Sequence, residues 1–544
     1  MAGDDTWWRT GVVYQIYPRS FADASGDGVG DLEGIIRHLD HLAGAPESLG
    51  VDAIWLSPIY PSPGYDLGYD ISDFAAVDPL FGTEADFDRL VAEAHRRGLR
   101  VILDLVVNHT SSEHPWFTAS RVAREGPYRD RYIWRDPAGT DAQGRPVPPN
   151  NWVSYFGGPG WEWDPGRGQF FQHTFLAEQP DLNWRDPGTL ADVSEMIRGW
   201  LERGVDGFRM DVFNAYLKDE RLCSNPLRPG RSAWARQAHV RDKDQPDLPV
   251  LLAAIRALVD EEPGRMTVGE LFDGDVERAA GLTADRHLVF DFELLGTPRS
   301  AAAIGRVLDR REHAFGTHRW PTVVLSNHDQ PRQVSRWVAG LDHDAVARLS
   351  AMLLLTLRGT PFIYYGEEVG MPGIVVPNDV AFDPPARRAG PALPWWNRDQ
   401  ARAPMPWTSE PGAGFTTGVP WLPLPEDWAT RNVAAQRTDN RSVLSFFRAM
   451  LALRRATPAL HAGAMTRLAH RTPGVLGFRR WTADSRALVL LNLGRRDVTV
   501  TLDQDAAAEA WAPALGTLGS ASPGVGRAGR IRLAALEGVV LLDR

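Results

Sequence analysis

One cysteine, Cys223, stands in a chain of 544 residues. No disulfide can close within it, which suits a reducing compartment. No apolar run approaches the roughly 20 residues needed to cross a bilayer. The first residues, Met1-Ala-Gly-Asp-Asp-Thr-Trp-Trp-Arg, lack the charged-then-apolar pattern of a signal peptide. A cytoplasmic protein without a membrane partner is therefore expected. Excess positive charge is also missing: the net charge of −10 argues against nucleic acid, whose binders present basic faces. There is no His-x-x-x-His, no Cys pair, no internal repeat and no low-complexity tract. No Gly-rich phosphate fingerprint follows the first apolar run, which argues against a doubly wound nucleotide-binding sheet.

What is present is a rhythm. Short apolar runs at 12–17, 52–58, 101–106, 207–213, 267–272, 287–292, 322–329 and 362–366 alternate with helical stretches at 84–98, 190–204, 248–262 and 345–358. Buried strands with crossover helices predict a (β/α)8 TIM barrel. Two stretches rich in Pro, Gly and Trp break the rhythm, one after the third run and one from Met371 to about Thr430. The first, without helical periodicity, predicts an inserted subdomain. After a last helix near 441–456, alternating patterns such as Val498-Thr-Val-Thr-Leu502 predict a C-terminal antiparallel β domain. The expected division is 1–107 and 179–462 for the barrel, 108–178 for the insert and 463–544 for the β domain. Twenty tryptophans suit sugar-ring floors, but equally suit cores and interfaces.

The fourth run, Gly207-Phe-Arg-Met-Asp211, places Arg209 and Asp211 on one face of a buried strand. A buried carboxylate beside a guanidinium is expected to stay ionised, as a nucleophile or electrostatic stabiliser; a purely structural ion pair has similar weight on these residues alone. Asp104 and His109, Asp211, Glu270, and His328-Asp329 end other strand-like runs, where barrels do their chemistry. Acids from several strands meeting at one mouth suit glycoside cleavage. A metal site built from the same acids and histidines is the runner-up.

These residues fall in motifs that resemble those of the α-amylase family of glycoside hydrolases, in its oligo-1,6-glucosidase/α-glucosidase branch. Asp104-Leu-Val-Val-Asn-His109, Gln179-Pro-Asp-Leu-Asn183, Gly207-Phe-Arg-Met-Asp211, Val268-Gly-Glu270 and Ser326-Asn-His-Asp329 occur in the family's order. The resemblance implies Asp211 as nucleophile, Glu270 as general acid/base and Asp329 as transition-state stabiliser. It implies that Arg209, His109 and His328 surround the cleavage subsite. Asp66 would bind the non-reducing end of the sugar, Tyr69 would stack on its ring, and Arg402 would pair with Asp66 to close the pocket. Asp104 is expected to support His109, and Asp70 to be a turn residue. The loop Asp23, Ser25, Asp27, Val29, Asp31 resembles the branch's structural Ca2+ (or Mg2+) loop, with Ser25 where Asn is usual; no organic cofactor is implied. Val212, after the nucleophile, accompanies α-1,6 preference in part of the branch, but the departing segment 222–247 leaves linkage open. The implied function is retaining exo-hydrolysis of small α-glucosides such as maltose or isomaltose, by a monomer or homodimer. The alternative is an isomerase or transglucosylase using the same glucosyl–enzyme intermediate, favoured if the loop 330–336 and Trp395-Trp396 close over the acceptor. A binding scaffold without catalysis is the remaining reading.

Overall fold

A computed structural model describes residues 6–283, 286–392, 397–507, 509–519 and 529–543. The eight barrel strands are Val13–Ile16, Ala53–Leu56, Arg100–Leu105, Gly207–Met210, Met266–Glu270, Leu288–Phe290, Thr322–Val324 and Thr360–Tyr364. Apart from the sixth and seventh, each pairs in parallel with its neighbour in sequence, and the eighth returns to the first. The sixth and seventh strands are joined instead through the Thr322 hydroxyl, which donates to the Val289 carbonyl (3.3 Å) and accepts from the Asp291 amide (3.3 Å). Every run read from the sequence as a strand is one. Their near-continuous apolar character follows from burial on both faces.

Val13, Ala53, Ile102, Met266, Val268, Leu288, Val324 and Phe362 fill the barrel interior, with Trp55 and Phe290. This packed plug leaves chemistry only at the strands' C-terminal ends. Two glycines in the motifs exist for close packing. A Cβ on Gly207 would lie 2.4 Å from the Met266 carbonyl oxygen, and one on Gly269 would lie 2.6 Å from the Phe213 ring.

Two of the four expected helices begin at the residue expected, Glu84 and Leu248, and two begin slightly earlier than their apolar periodicity suggests. The helix expected from Leu190 starts at Pro187, with Asp186 as a cap that accepts from the Gly188 amide. Asp342 caps the helix His343–Thr356 in the same manner. Capping side chains are polar, so a periodicity count begins after them.

Between the third and fourth strands lies a small antiparallel sheet of Trp134–Arg135, Gln169–Gln172 and Trp161–Asp164. It is accompanied by a helix, Pro115–Val122, that the sequence reading did not expect. Its start and end are pinned together where the Leu182 amide donates to the Asn108 carbonyl (2.9 Å). Beyond the helix Val443–Ala456, a five-stranded antiparallel sheet and a two-stranded ribbon (Val498–Thr501 with Arg530–Leu533) close over their own apolar core. Among the described residues, no helix is long and apolar enough to cross a membrane.

Candidate active site

A cavity of about 380 Å3 opens at the C-terminal ends of the strands. Its inner wall carries Asp66, Tyr69, His109, Asp211, Glu270 and Asp329, with Arg398. Its outer wall is largely apolar and includes Tyr155, Phe156, Phe272, Phe292 and Leu295.

The inner wall is built around Arg209. The strand's two-residue period puts Arg209 and Asp211 on one face, as expected, and Nη1 donates to Asp211 Oδ1 (2.6 Å). The same nitrogen donates to Asp104 Oδ1 (2.5 Å), and Nη2 donates to Glu270 Oε2. One buried guanidinium thus serves three carboxylates from three strands. Trp55 lies beneath it, with its ring 5.3 Å from the guanidinium carbon and its indole N–H donating to Asp104 Oδ2 (3.2 Å).

This sharing corrects the expectation that Arg209 simply keeps Asp211 ionised. Burial pushes the Asp211 carboxyl well above the usual carboxylate range; Arg209 pulls it down, while the charges of Glu270 and Asp104 push it up again. Burial likewise raises Asp104 to about 6 against the pull of Arg209. A single positive charge divided among three acids does not offset the desolvation of Asp211 and Asp104, so both are shifted toward their protonated forms.

Asp329 lives under the opposite regime. Arg402 Nη2 lies 3.0 Å and Arg398 Nη1 3.4 Å from its Oδ1. Burial works against the charge, but His328, Arg398 and Arg402 outweigh it and hold the carboxyl well below the usual range. Burial pushes His328 itself down to about 3, so the counter-charges that persist at neutral pH are the two arginines.

The arginine that reaches Asp66 is Arg398, not Arg402. Arg398 Nη2 lies 2.6 Å from Asp66 Oδ1, and its Nε lies 2.6 Å from Asp383 Oδ1. Arg402, four residues on across a short 3-10 turn, faces inward instead. It donates from Nε to the His328 carbonyl (2.9 Å) and lies over the Tyr17 ring. Gln179 completes the inner end, donating to Asp66 Oδ2 (3.2 Å) and lying 3.1 Å from His109 Nε2. Asp70 forms the turn beneath: its carboxylate accepts from the Tyr65 and Asp66 amides (2.9 and 2.8 Å) and from the Ser62 hydroxyl (2.9 Å).

Asp104 does not support His109; the ring of His109 meets the Tyr69 carbonyl and Asn108 instead. Tyr69 does line the pocket. Its hydroxyl lies 2.6 Å from His328 Nε2 and donates to Asp104 Oδ2 (3.2 Å). His328, 1 % exposed, has its other ring nitrogen 2.8 Å from Gln15 Nε2. Arg209, His328 and Arg402 therefore stand behind the wall and hold the residues that form it.

Several participants escaped the sequence reading. Lys218 Nζ lies 2.8 Å from Asp181 and donates to Thr174 (3.2 Å), Asn108 (3.4 Å) and the Ala215 carbonyl. A buried ammonium thus ties the His109 loop, the end of the insert and the turn after Asp211. Only its place seven residues past Asp211 could have drawn attention to it. Val212 lines the pocket at φ +37°, a left-handed conformation costly for a β-branched residue and frequent at functional sites. Of the loop expected to cover the acceptor, Gln330 lines the pocket; Arg332 is anchored away from it on the Tyr365 carbonyl (2.6 Å). Trp395-Trp396 lies outside the described residues.

The loop Asp23, Ser25, Asp27, Val29, Asp31 is held by hydrogen bonds from its own amides and from neighbouring segments. Asp23 accepts from the Gly26 and Gly28 amides (2.7 and 2.8 Å) and from the Thr416 hydroxyl (2.5 Å). Asp31 accepts from the Ala24 and Ser25 amides and caps the helix Leu32–Leu42 through the Gly34 amide. Asp27 accepts from the Val29 amide (2.8 Å). Among the described residues no three His, Cys, Asp or Glu side chains converge for a metal, so an ion here would also need the Ser25 hydroxyl and the Val29 carbonyl as ligands.

The α-amylase catalytic-domain family model matches residues 15–463. The probable α-glucosidase of Rhizobium meliloti is 42% identical over 520 residues, covering 92% of this chain and 91% of that protein. The oligo-1,6-glucosidase of Heyndrickxia coagulans is 37% identical over 533 residues, covering 92% and 94%. Among solved structures, the α-glucosyl transfer enzyme XgtA superposes with a TM-score of 0.91 at 42% identity, covering 99% of this chain and 100% of that one.

Proposed function

Because the chain belongs to the α-amylase family of glycoside hydrolases, within its glucosidases and glucosyl transferases, we propose that it is a retaining exo-α-glucosidase acting on short, neutral α-glucosides. One observation carries this reading: the unequal sharing of arginines among the wall acids. Asp211 and Glu270 divide one guanidinium with Asp104, and Asp211 is pushed above the usual carboxylate range, whereas Asp329 faces two guanidiniums and is held below it.

In this mechanism Asp211 attacks the anomeric carbon while Glu270 gives its proton to the leaving oxygen. Water, deprotonated by Glu270, then releases α-glucose from Asp211. Asp329, held ionised, stabilises the positive charge that grows on the sugar ring. Exo-attack is supported by the inner end, where Arg398 and Gln179 both bind Asp66 and tie three segments together. Val212 points to α-1,6 linkages, but the departing segment 222–247 shifts the reading to a preference mixed between α-1,4 and α-1,6.

The apolar outer wall favours a second reading, interception of the intermediate by a sugar or alcohol instead of water. Proton NMR of the first product from maltose, isomaltose, sucrose and p-nitrophenyl α-glucoside tests both. α-Glucose appearing first supports the hydrolase; new glucosides without free glucose move the reading to transfer. A binding scaffold requires that Asp211→Asn leave sugar turnover unchanged.

A further inference from the structure

If Glu270 protonates the leaving oxygen, the leaving group lies over the segment that follows it. That segment, Leu271-Phe272-Asp273, lines the pocket together with Phe292, Leu295 and Gly296 from beyond the sixth strand. The surface is apolar with one exception, the exposed carboxylate of Asp273. Its position is fixed from two sides. The Trp234 indole N–H donates to Oδ2 (3.2 Å), and Lys243 Nζ donates to the Asp273 backbone carbonyl (2.8 Å). The backbone holds Asp273 at φ +49°, a conformation that Asp and Asn tolerate better than other side chains.

Nearby positive charge is spent elsewhere. Lys243 is buried, donates also to the Phe272 carbonyl (3.2 Å) and pairs with Asp244 (3.1 Å). Arg278 pairs with the same Asp244 (2.7 Å). Among the described residues lining the pocket the one cation is Arg398, already within reach of Asp66, Asp329 and Asp383. The leaving-group side thus offers apolar faces and a fixed negative charge.

We propose that Asp273 is an electrostatic filter on the leaving-group side, admitting neutral α-glucosides and turning away those whose aglycone is anionic, such as a sugar phosphate or an aryl carboxylate. The proposal rests on the glucosidase reading above. Low-dielectric walls strengthen the repulsion, and added salt screens it.

The test uses two aryl α-glucosides of nearly equal shape, 4-carbamoylphenyl and 4-carboxyphenyl, at 20 mM and 500 mM NaCl. In the wild type, kcat/KM is expected to be at least about tenfold lower for the carboxylate at low salt, with the gap narrowing at high salt. Asp273→Asn should raise the carboxylate-to-amide ratio about tenfold and remove its salt dependence. Circular dichroism and Tm of the variant establish that it folds; Asp273→Ser is the second variant if it does not. A ratio unchanged by either substitution, or indifferent to salt, overturns the filter while leaving the glucosidase reading intact. Failure to turn over either aryl glucoside, maltose or isomaltose overturns the glucosidase reading and the filter with it.

Discussion

Arg209 and Arg398 each reach three carboxylates, yet they do different work. Arg209 sits on the fourth strand among acids from the third, fourth and fifth, and is almost wholly buried. Arg398 comes from a loop beyond the eighth strand and gathers Asp66, Asp329 and Asp383 from three distant segments at the pocket's inner end. Around Arg209 the acids outnumber the charge, and Asp211 and Asp104 are pushed above the usual carboxylate range. Around Asp329 a second guanidinium, Arg402, joins the first, and the acid is held ionised. A site that needs one acid protonated and another charged obtains both from the same residue types by changing how many arginines each acid faces.

Arg209→Met breaks the first half of that comparison and has the largest expected effect. Three buried carboxylates lose their only shared cation, so stability should fall by roughly 3–5 kcal/mol and turnover should vanish. Urea unfolding and p-nitrophenyl α-glucoside kinetics check this. Lys218→Met probes a third shared cation, one that touches no acid of the pocket wall. Asp181 would be left buried and unpaired, so a loss of about 3 kcal/mol is expected. Activity should fall less than stability, since Lys218 acts only by positioning the His109 loop. Arg398→Met sharpens the second half. Its guanidinium faces the cavity at the inner end with its side chain 12 % exposed, so kcat/KM should fall about 100-fold as substrate positioning is lost. Arg402→Met leaves the Asp66 pair in place and should affect kcat more than KM.

The two halves also differ in how far a sequence exposes them. Arg209 and Asp211 are two residues apart on a strand, so strand geometry alone sets them side by side, and the barrel followed from the spacing of apolar runs. The pairing of Asp66 crosses more than 300 positions and depends on the path of an irregular loop. Arg398 and Arg402 occupy the same short turn, and no periodicity says which of them points outward. That is why the choice fell on Arg402. Lys218 was missed for the same reason: its partners lie in three separated segments. The 23–31 loop is ambiguous in another way. Alternating oxygen donors look alike whether they face a cation or their own amides, and the cap that Asp31 places on the helix Leu32–Leu42 shows only in the coordinates.

The smallest expected effect concerns His328, which stands behind Asp329. Burial lowers it to about 3, so the folded state refuses a proton that the unfolded chain accepts near 6.5. The sign follows from linkage: the unfolded state binds more protons below pH 6.5, so this group's contribution to stability is complete above that pH and declines as pH falls toward 3. His328→Asn removes the titration together with the contacts to Gln15 and Tyr69. The variant should therefore be less stable than the wild type at pH 8, and the gap should shrink by roughly 2 kcal/mol at pH 5. Urea midpoints at pH 8, 6.5 and 5 measure it. A gap that stays constant across these values would mean that His328 takes up its proton within the fold. It would then add a third positive charge beside Asp329, and the contrast between the two arginine clusters would owe as much to that histidine as to the guanidiniums.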